Sequence, residues 1–240
     1  MNTPPYFLGV KMKKSYFLLV LSFDFINYRK KCNFVRMKKS ELIQRLQQSL
    51  PGNSAHEAFA PYRKQFEQYA ESVRKKAAVG IHLYWHEEEW HFFLIERSTY
   101  DGKHSAQMAF PGGKPEPNDL HLEQTARRES EEELAIPVTS GEKIAELTMV
   151  WIPVSSFEVT PFVFLHDQRP PISINEHEVA QYYEVQLNEL LSDASVSKTT
   201  IKVSEHVQMK DIPCFVLNEK VVWGATALIL AELKMLIQKD

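Results

Sequence analysis

Phe110-Pro111-Gly112-Gly113-Lys114, followed downstream by Arg127-Arg128-Glu129-Ser130-Glu131-Glu132-Glu133, decides how this chain reads. On a helix of about 3.6 residues per turn, Glu129, Glu132 and Glu133 stand at i, i+3 and i+4 and share one face. Like charges so placed repel, each i,i+4 pair costing roughly 0.2–0.5 kcal/mol. Hard divalent cations bound by oxygen ligands compensate such a cluster. The turn built from Pro111, Gly112 and Gly113 lets backbone approach a phosphate closely. Asp119 is positioned to cap a helix over residues 120–134, with Leu122, Ala126 and Ser130 on its buried side. A run of Glu and Arg alone is usually a solvated helix face. The adjoining glycine turn moves the reading to a magnesium-dependent phosphate site.

From Gly113 to Ile136 the chain resembles a Nudix box, G-x5-E-x7-R-E-U-x-E-E-x-G-U with U aliphatic. Arg128-Glu129-Ser130-Glu131-Glu132-Glu133-Leu134-Ala135-Ile136 carries the likeness, with three departures. One extra residue separates Gly113 from Arg128, so no glutamate stands at the first acidic position. Ser130 replaces an aliphatic residue, and Ala135 replaces the last glycine, where a left-handed residue usually leads out of the helix. The extra residue resembles the coenzyme A diphosphatase branch, which carries the Phe-Pro-Gly-Gly turn, an acidic residue near Asp119, and Thr125-Ala126-x-Arg128-Glu129. Other blocks of that branch recur in order. They are Leu50-Pro51-Gly52 with Ala55-His56, Pro61-x-Arg63, Arg97, His104, Gln107, Ile152-Pro153-Val154-Ser155, Pro161-Phe162-Val163 and Trp223-Gly224-Ala225-Thr226-Ala227.

The resemblance implies a Nudix-type α/β/α sandwich with a mixed β-sheet, plus N-terminal helices. It implies metal-dependent hydrolysis of coenzyme A or its thioesters to 3′,5′-ADP and (acyl-)4′-phosphopantetheine. The alternatives are a Nudix hydrolase of ADP-ribose or NADH and a non-catalytic nucleotide-binding domain, against which the full Arg128-Glu129-x-x-Glu132-Glu133 set argues. Glu129, Glu132 and Glu133 would hold Mg2+ or Mn2+, oriented by Arg128. Glu129, Glu132, Arg128 and Glu178 form the catalytic set, with Glu178 the leading base from outside the box and Glu158 a weaker one. Arg97, His104, Gln107, Gly112 and Gly113 would bind substrate, and Phe157 could stack a base.

Composition bounds the rest. With 240 residues, 44% hydrophobic and 25% charged, the chain is long enough for a full core. A formal net charge of −3 offers no electrostatic case for nucleic acid as the main partner. Cys32 and Cys214 do not make a disulfide framework, and the nine histidines lack zinc-ligand spacing. We therefore expect a cytoplasmic protein with no nucleic-acid or membrane partner and room for a homodimer, and the resemblance implies a small coenzyme A-like nucleotide substrate.

Lys11, Lys13 and Lys14 precede Tyr16-Phe17-Leu18-Leu19-Val20-Leu21-Ser22-Phe23, which imitates a signal segment. That apolar run is far shorter than the roughly 18–20 residues that span a bilayer, and no small-residue cleavage site follows it. Residues 1–36 are expected to lie outside the working domain, with translation able to begin at Met37. Residues 37–76 then form a helical segment, beginning with Leu42, Ile43, Leu46 and Leu50 on one face, and a helix over 62–76. Residues 77–240 form the hydrolase domain. Strands are expected at 77–86 and 90–97, joined by a Glu87-Glu88-Glu89 turn, and at 144–152, 157–165, 199–203, 214–217 and 221–223. A final helix spans 225–238.

Overall fold

A long hairpin organises the protein. Its strands β1 (Lys75–His86) and β2 (Glu89–Arg97) pair antiparallel through His86 and Glu89. Glu87 and Glu88 make the turn at φ 47° and 66°, the left-handed geometry that matches strand twist in a two-residue hairpin. The computed structural model describes residues 37–60, 74–98, 107–202 and 208–238. All of these lie in the compact unit Arg36–Asp240. The expectations for residues 1–36 and for most of the helix at 62–76 lie outside the described residues. Lys75 and Lys76, assigned to that helix, instead open β1.

Eight strands make one mixed sheet. They include β3 (Met108–Ala109), β4 (Gly112–Gly113), β5 (Glu142–Glu146), β6 (Val150–Ile152), β7 (Phe157–His166) and β8 (Val179–Gln186). β1 runs parallel to β7 from Lys75↔Phe157 to Tyr84↔His166, and the other pairings are antiparallel. β2 diverges from β1 to pair with β3 and β8, and β4 takes its place beside β1 at Ala78↔Gly113. The sheet thus splits at Phe110-Pro111, which is where the glycine turn sits. A second sheet of three strands contains β9 (Val196–Lys202), β10 (Gln208–Leu217) and β11 (Lys220–Val222).

Helices cover both faces of the large sheet. On one face α3 (Leu122–Leu134) packs Leu122 and Ala126 against Ala78, Phe162 and Phe164. On the other, α5 (Gly224–Gln238) joins Ile81, Leu83, Val163 and Leu165 in the main core. Nearly every α5 residue from Thr226 to Ile237 is buried, the mark of a helix enclosed on all sides. Its one buried carboxylate, Glu232, accepts from the Gly52 and Thr148 amides at 3.0 and 2.9 Å and from Thr148 Oγ1 at 2.6 Å. That tether explains Leu50-Pro51-Gly52 as a structural block. The short α2 (Asn53–His56) follows it, and α4 (Leu187–Leu191) follows β8.

Further expectations change. The first helix, α1 (Lys39–Leu46), buries Leu42 and Leu46, but it ends before Leu50, which is 42% exposed. The strand at 144–152 is two, because the Thr148 amide leaves the β7 ladder for Glu232 (2.9 Å) and Pro161 has no amide to donate there. β8 was not expected at all. His121, not Asp119, caps α3, its ring accepting from the Gln124 amide. No helix among the described residues is long and apolar enough to cross a membrane.

Candidate active site

The first turn of α3 is organised around Asp119. Its carboxylate accepts from the Glu116 amide and Thr125 Oγ1 (both 2.9 Å) and from Arg128 Nη2 (3.1 Å). Arg128 also donates to the Lys114 carbonyl (2.8 Å), Glu129 Oε1 (3.0 Å) and Glu132 Oε2 (2.8 Å). One guanidinium therefore ties the glycine turn to the carboxylate face of the helix. This network uses the planar, multi-donor fork that lysine lacks.

Glu129 and Glu133 point at the turn. Glu133 is fully buried, with Oε2 on the Gly112 amide (2.8 Å) and Oε1 3.3 Å from Arg97 Nη1. A Cβ added to Gly113 would collide with the Glu129 carboxylate, so glycine is needed here for close approach. Glu178 joins them from the loop before β8. That loop is docked onto the helix end, where the Asn175 and Ser173 amides donate to the Glu133 and Leu134 carbonyls (3.1 and 3.0 Å). Ligand atoms of Glu129, Glu133 and Glu178 all lie within 4.8 Å of one another.

The electrostatics show unmet negative charge. Burial, reinforced by Glu129 and Glu178, pushes the Glu133 carboxyl up to about 8 despite Arg97 and the Gly112 amide. Burial also raises Glu129, with Arg128 opposing and Glu132 and Glu178 adding. Three carboxylates, with no thiol or imidazole in the cluster, fit a hard divalent cation.

Glu132 stands apart from this cluster, its side chain 47% exposed and held by Arg128. Glu158 is engaged with Arg74 (2.6 Å) and Lys76, which hold its carboxyl below the usual range. Phe157 is flanked by the Lys75 and Lys114 ammonium groups at 5.8 and 5.5 Å from its ring. The Gln107 carbonyl accepts from the Arg97 amide at 3.2 Å, and His104 lies outside the described residues.

Sequence reasoning missed a buried chain beneath α3. Ser130 Oγ donates to the Ala126 carbonyl (2.6 Å) and so must accept from His82 Nε2 (2.8 Å). His82 Nδ1 then accepts from His166 Nε2 (2.9 Å). Both imidazoles are kept neutral chiefly by burial, His166 with its pKa lowered to about 4. Serine at an aliphatic position was the available signal. At the helix end Ala135 adopts φ 57°, ψ 27°, the left-handed geometry of the missing glycine, and its amide bonds the Glu131 carbonyl at 2.9 Å.

Comparison with known proteins shows the family. The model of the NUDIX domain family fits residues 74–206. The chain is 34% identical over 165 residues to NudL, described as an uncharacterized Nudix hydrolase, of Yersinia pestis (strain Pestoides F). That match covers 69% of this chain and 81% of NudL. Among solved structures, a C. elegans Ap4A hydrolase binary complex is 18% identical, with a TM-score of 0.42 over 50% of this chain and 82% of that one. The NUDIX domain of Shewanella oneidensis NrtR complexed with ADP ribose is 17% identical, with a TM-score of 0.41 over 55% and 85%. By its domain match and its kinship to NudL, this chain belongs to the Nudix hydrolase family.

Proposed function

We propose that this hydrolase cleaves the diphosphate of coenzyme A or its thioesters to 3′,5′-ADP and (acyl-)4′-phosphopantetheine. One observation carries the reading. The segment from Phe110 to Glu129 has the spacing that resembles the coenzyme A diphosphatase branch, and its polar residues interlock. The segment contains a turn closed by the Asp119 amide on the Glu116 carbonyl (3.0 Å). That turn aims Asp119 at Thr125 and Arg128, and Arg128 in turn holds Glu129.

Glu129 and Glu133 would hold the divalent cation, Mg2+ or Mn2+, with the Glu178 carboxylate within 4.8 Å of both. When bound, it would lower the pKa of a water and neutralise charge on the leaving phosphate. Arg128 fixes Glu129, with Glu132 and Asp119 orienting the guanidinium. Arg97 is close enough to Glu133 to hold that carboxylate in place, which makes it a positioning residue. Glu178 is exposed and joins the cluster from a separate loop, so it is the carboxylate able to accept a proton from water. By the resemblance, His104 and Gln107 would bind the nucleotide.

A panel of coenzyme A, ADP-ribose and NADH at equal concentration tests this. The expected result is a kcat/KM for coenzyme A at least tenfold above the others. Faster cleavage of ADP-ribose or NADH would keep the family and discard the substrate.

A further inference from the structure

Two cations share one buried carboxylate where β1 and β7 begin. Glu158 is 6% exposed, and it accepts from Arg74 Nη1 (2.6 Å) and from Lys76 Nζ. The Arg74 and Lys76 side chains are themselves 40% and 58% exposed. A buried carboxylate calls for one cation, and the second leaves the group with a positive charge facing solvent. The Arg74 guanidinium also lies over the Trp151 ring, 5.4 Å from its centroid, a cation–π contact. Both head groups are held from beneath, in a chain whose formal net charge is −3.

We infer that Arg74 and Lys76 bind a phosphate monoester of the substrate, separate from the diphosphate that is cleaved. On the coenzyme A reading above, on which this assignment rests, that group is the ribose 3′-phosphate. The first argument is the face of the sheet. Gly113 pairs with Ala78, and a Cβ on Gly113 would meet the Glu129 carboxylate, so Glu129 lies over this face. Side chains two apart on a strand share a face, which puts Lys76 on the side of Ala78 and Glu129. Glu158 pairs with Lys76, and Trp151 with Glu158, so these residues face the same way. Arg74, just ahead of β1, joins them by its contacts with Glu158 and Trp151.

The second argument is distance. From Gly113, one strand spacing of ~4.8 Å leads to β1, and two residues of ~3.3 Å each lead along it to Lys76. A second spacing leads to Glu158, so Lys76 and Glu158 stand about 8 and 12 Å from Gly113, backbone to backbone. In coenzyme A roughly six bonds separate the 5′ phosphorus from the 3′ phosphorus, about 7–8 Å when extended. A diphosphate at Glu129, Glu133 and Glu178 therefore brings the 3′-phosphate within reach of the two cations.

The third argument is chemistry. A guanidinium fork beside an ammonium matches the several oxygens and the charge of a phosphate monoester. Because Glu158 and Trp151 already fix the head groups, less ordering is lost when the phosphate arrives. Lys75 and Lys114, both beside the Phe157 ring, raise the positive field at the same strand ends.

The test is the full chain with Mg2+, assayed on coenzyme A and on 3′-dephospho-coenzyme A. We expect kcat/KM to favour coenzyme A at least tenfold, the equivalent of ~1.4 kcal/mol. Lys76→Gln should bring that ratio close to one, and Arg74→Gln should do so if the first variant misfolds. Calorimetry with 3′,5′-ADP and 5′-AMP supplies a readout free of turnover. The parent should bind 3′,5′-ADP more tightly than 5′-AMP by a similar factor, and the variants should bind the two alike. Cleavage of coenzyme A with the same preference in parent and variants would overturn the phosphate assignment alone. Cleavage of ADP-ribose with neither coenzyme A species turned over would overturn the coenzyme A reading and this site with it. Inhibition by inorganic phosphate that Lys76→Gln abolishes, with the substrate preference unchanged, would give the two cations to a free anion instead.

Discussion

Glu133→Gln should make the cation-free protein more stable, and the gain should depend on pH. The Glu133 carboxyl is fully buried between the Gly112 amide and Arg97, facing Glu129 and Glu178. Its pKa is pushed from 4.5 to about 8, chiefly by burial. The folded state therefore binds more protons than the unfolded state between those values, and stability falls as pH rises through this window. Below pH 4 both states are protonated and the group is neutral in its effect. Above pH 8 both are ionised, and the folded protein bears a penalty on the order of 5 kcal/mol, or about 3 kcal/mol at pH 7. Glutamine keeps an acceptor for the Gly112 amide and removes the charge. Thermal unfolding in EDTA should place the variant about 6–12 °C above the parent at pH 7 and level with it at pH 4. Mg2+ should raise the parent's Tm and leave the variant's unchanged. A variant less stable than the parent at pH 8 in EDTA would refute the reasoning.

Gly113→Ala should weaken Mn2+ affinity on the order of 10–100-fold, by calorimetry, because its Cβ displaces the Glu129 carboxylate. Parent-like affinity would contradict that contact. Ala135→Gly should stabilise the protein by about 1 kcal/mol in urea titrations, since alanine there holds φ 57°. An unchanged midpoint would mean that the helix end relaxes without strain. Ser130→Val should cost roughly 1–3 kcal/mol by stranding the His82 N–H, although it restores the aliphatic residue of the box. The His82–His166 pair adds an acid sensitivity. Its stabilising contribution is complete above pH 6.5 and declines as pH falls toward about 4, where folded His166 at last takes a proton. Acid titrations of circular dichroism should show that decline, and a flat profile over this range would remove the neutral pair from the account.

The helix and its carboxylates were legible because spacing and a neighbouring glycine turn point the same way. Even so, a common face is a coarse statement. At about 100° per residue, Glu132 lies roughly 60° to one side of Glu129 and Glu133 roughly 40° to the other. Of these two, Glu133 reaches the turn beside Glu129, and Glu132 goes to Arg128. Asp119 looked like a cap because caps and ion-pair partners draw on the same residue types, and Arg128 claims it. β8 escaped notice because its exposure does not alternate, leaving no period of two in Val179–Gln186. Glu178 could be named as a candidate, but its arrival beside Glu129 depends on a loop docked to the helix end. The Ser130–His82–His166 chain joins residues far apart in sequence, and only packing reveals it.

The central claim is metal-dependent cleavage of the coenzyme A diphosphate at the Glu129, Glu133 and Glu178 cluster. Mass spectrometry of the products from coenzyme A, with Mg2+ and with EDTA, tests it most directly. The account predicts 3′,5′-ADP and 4′-phosphopantetheine in equal amounts with Mg2+ and neither in EDTA. Intact coenzyme A with Mg2+ present, or the same products in EDTA, would contradict it.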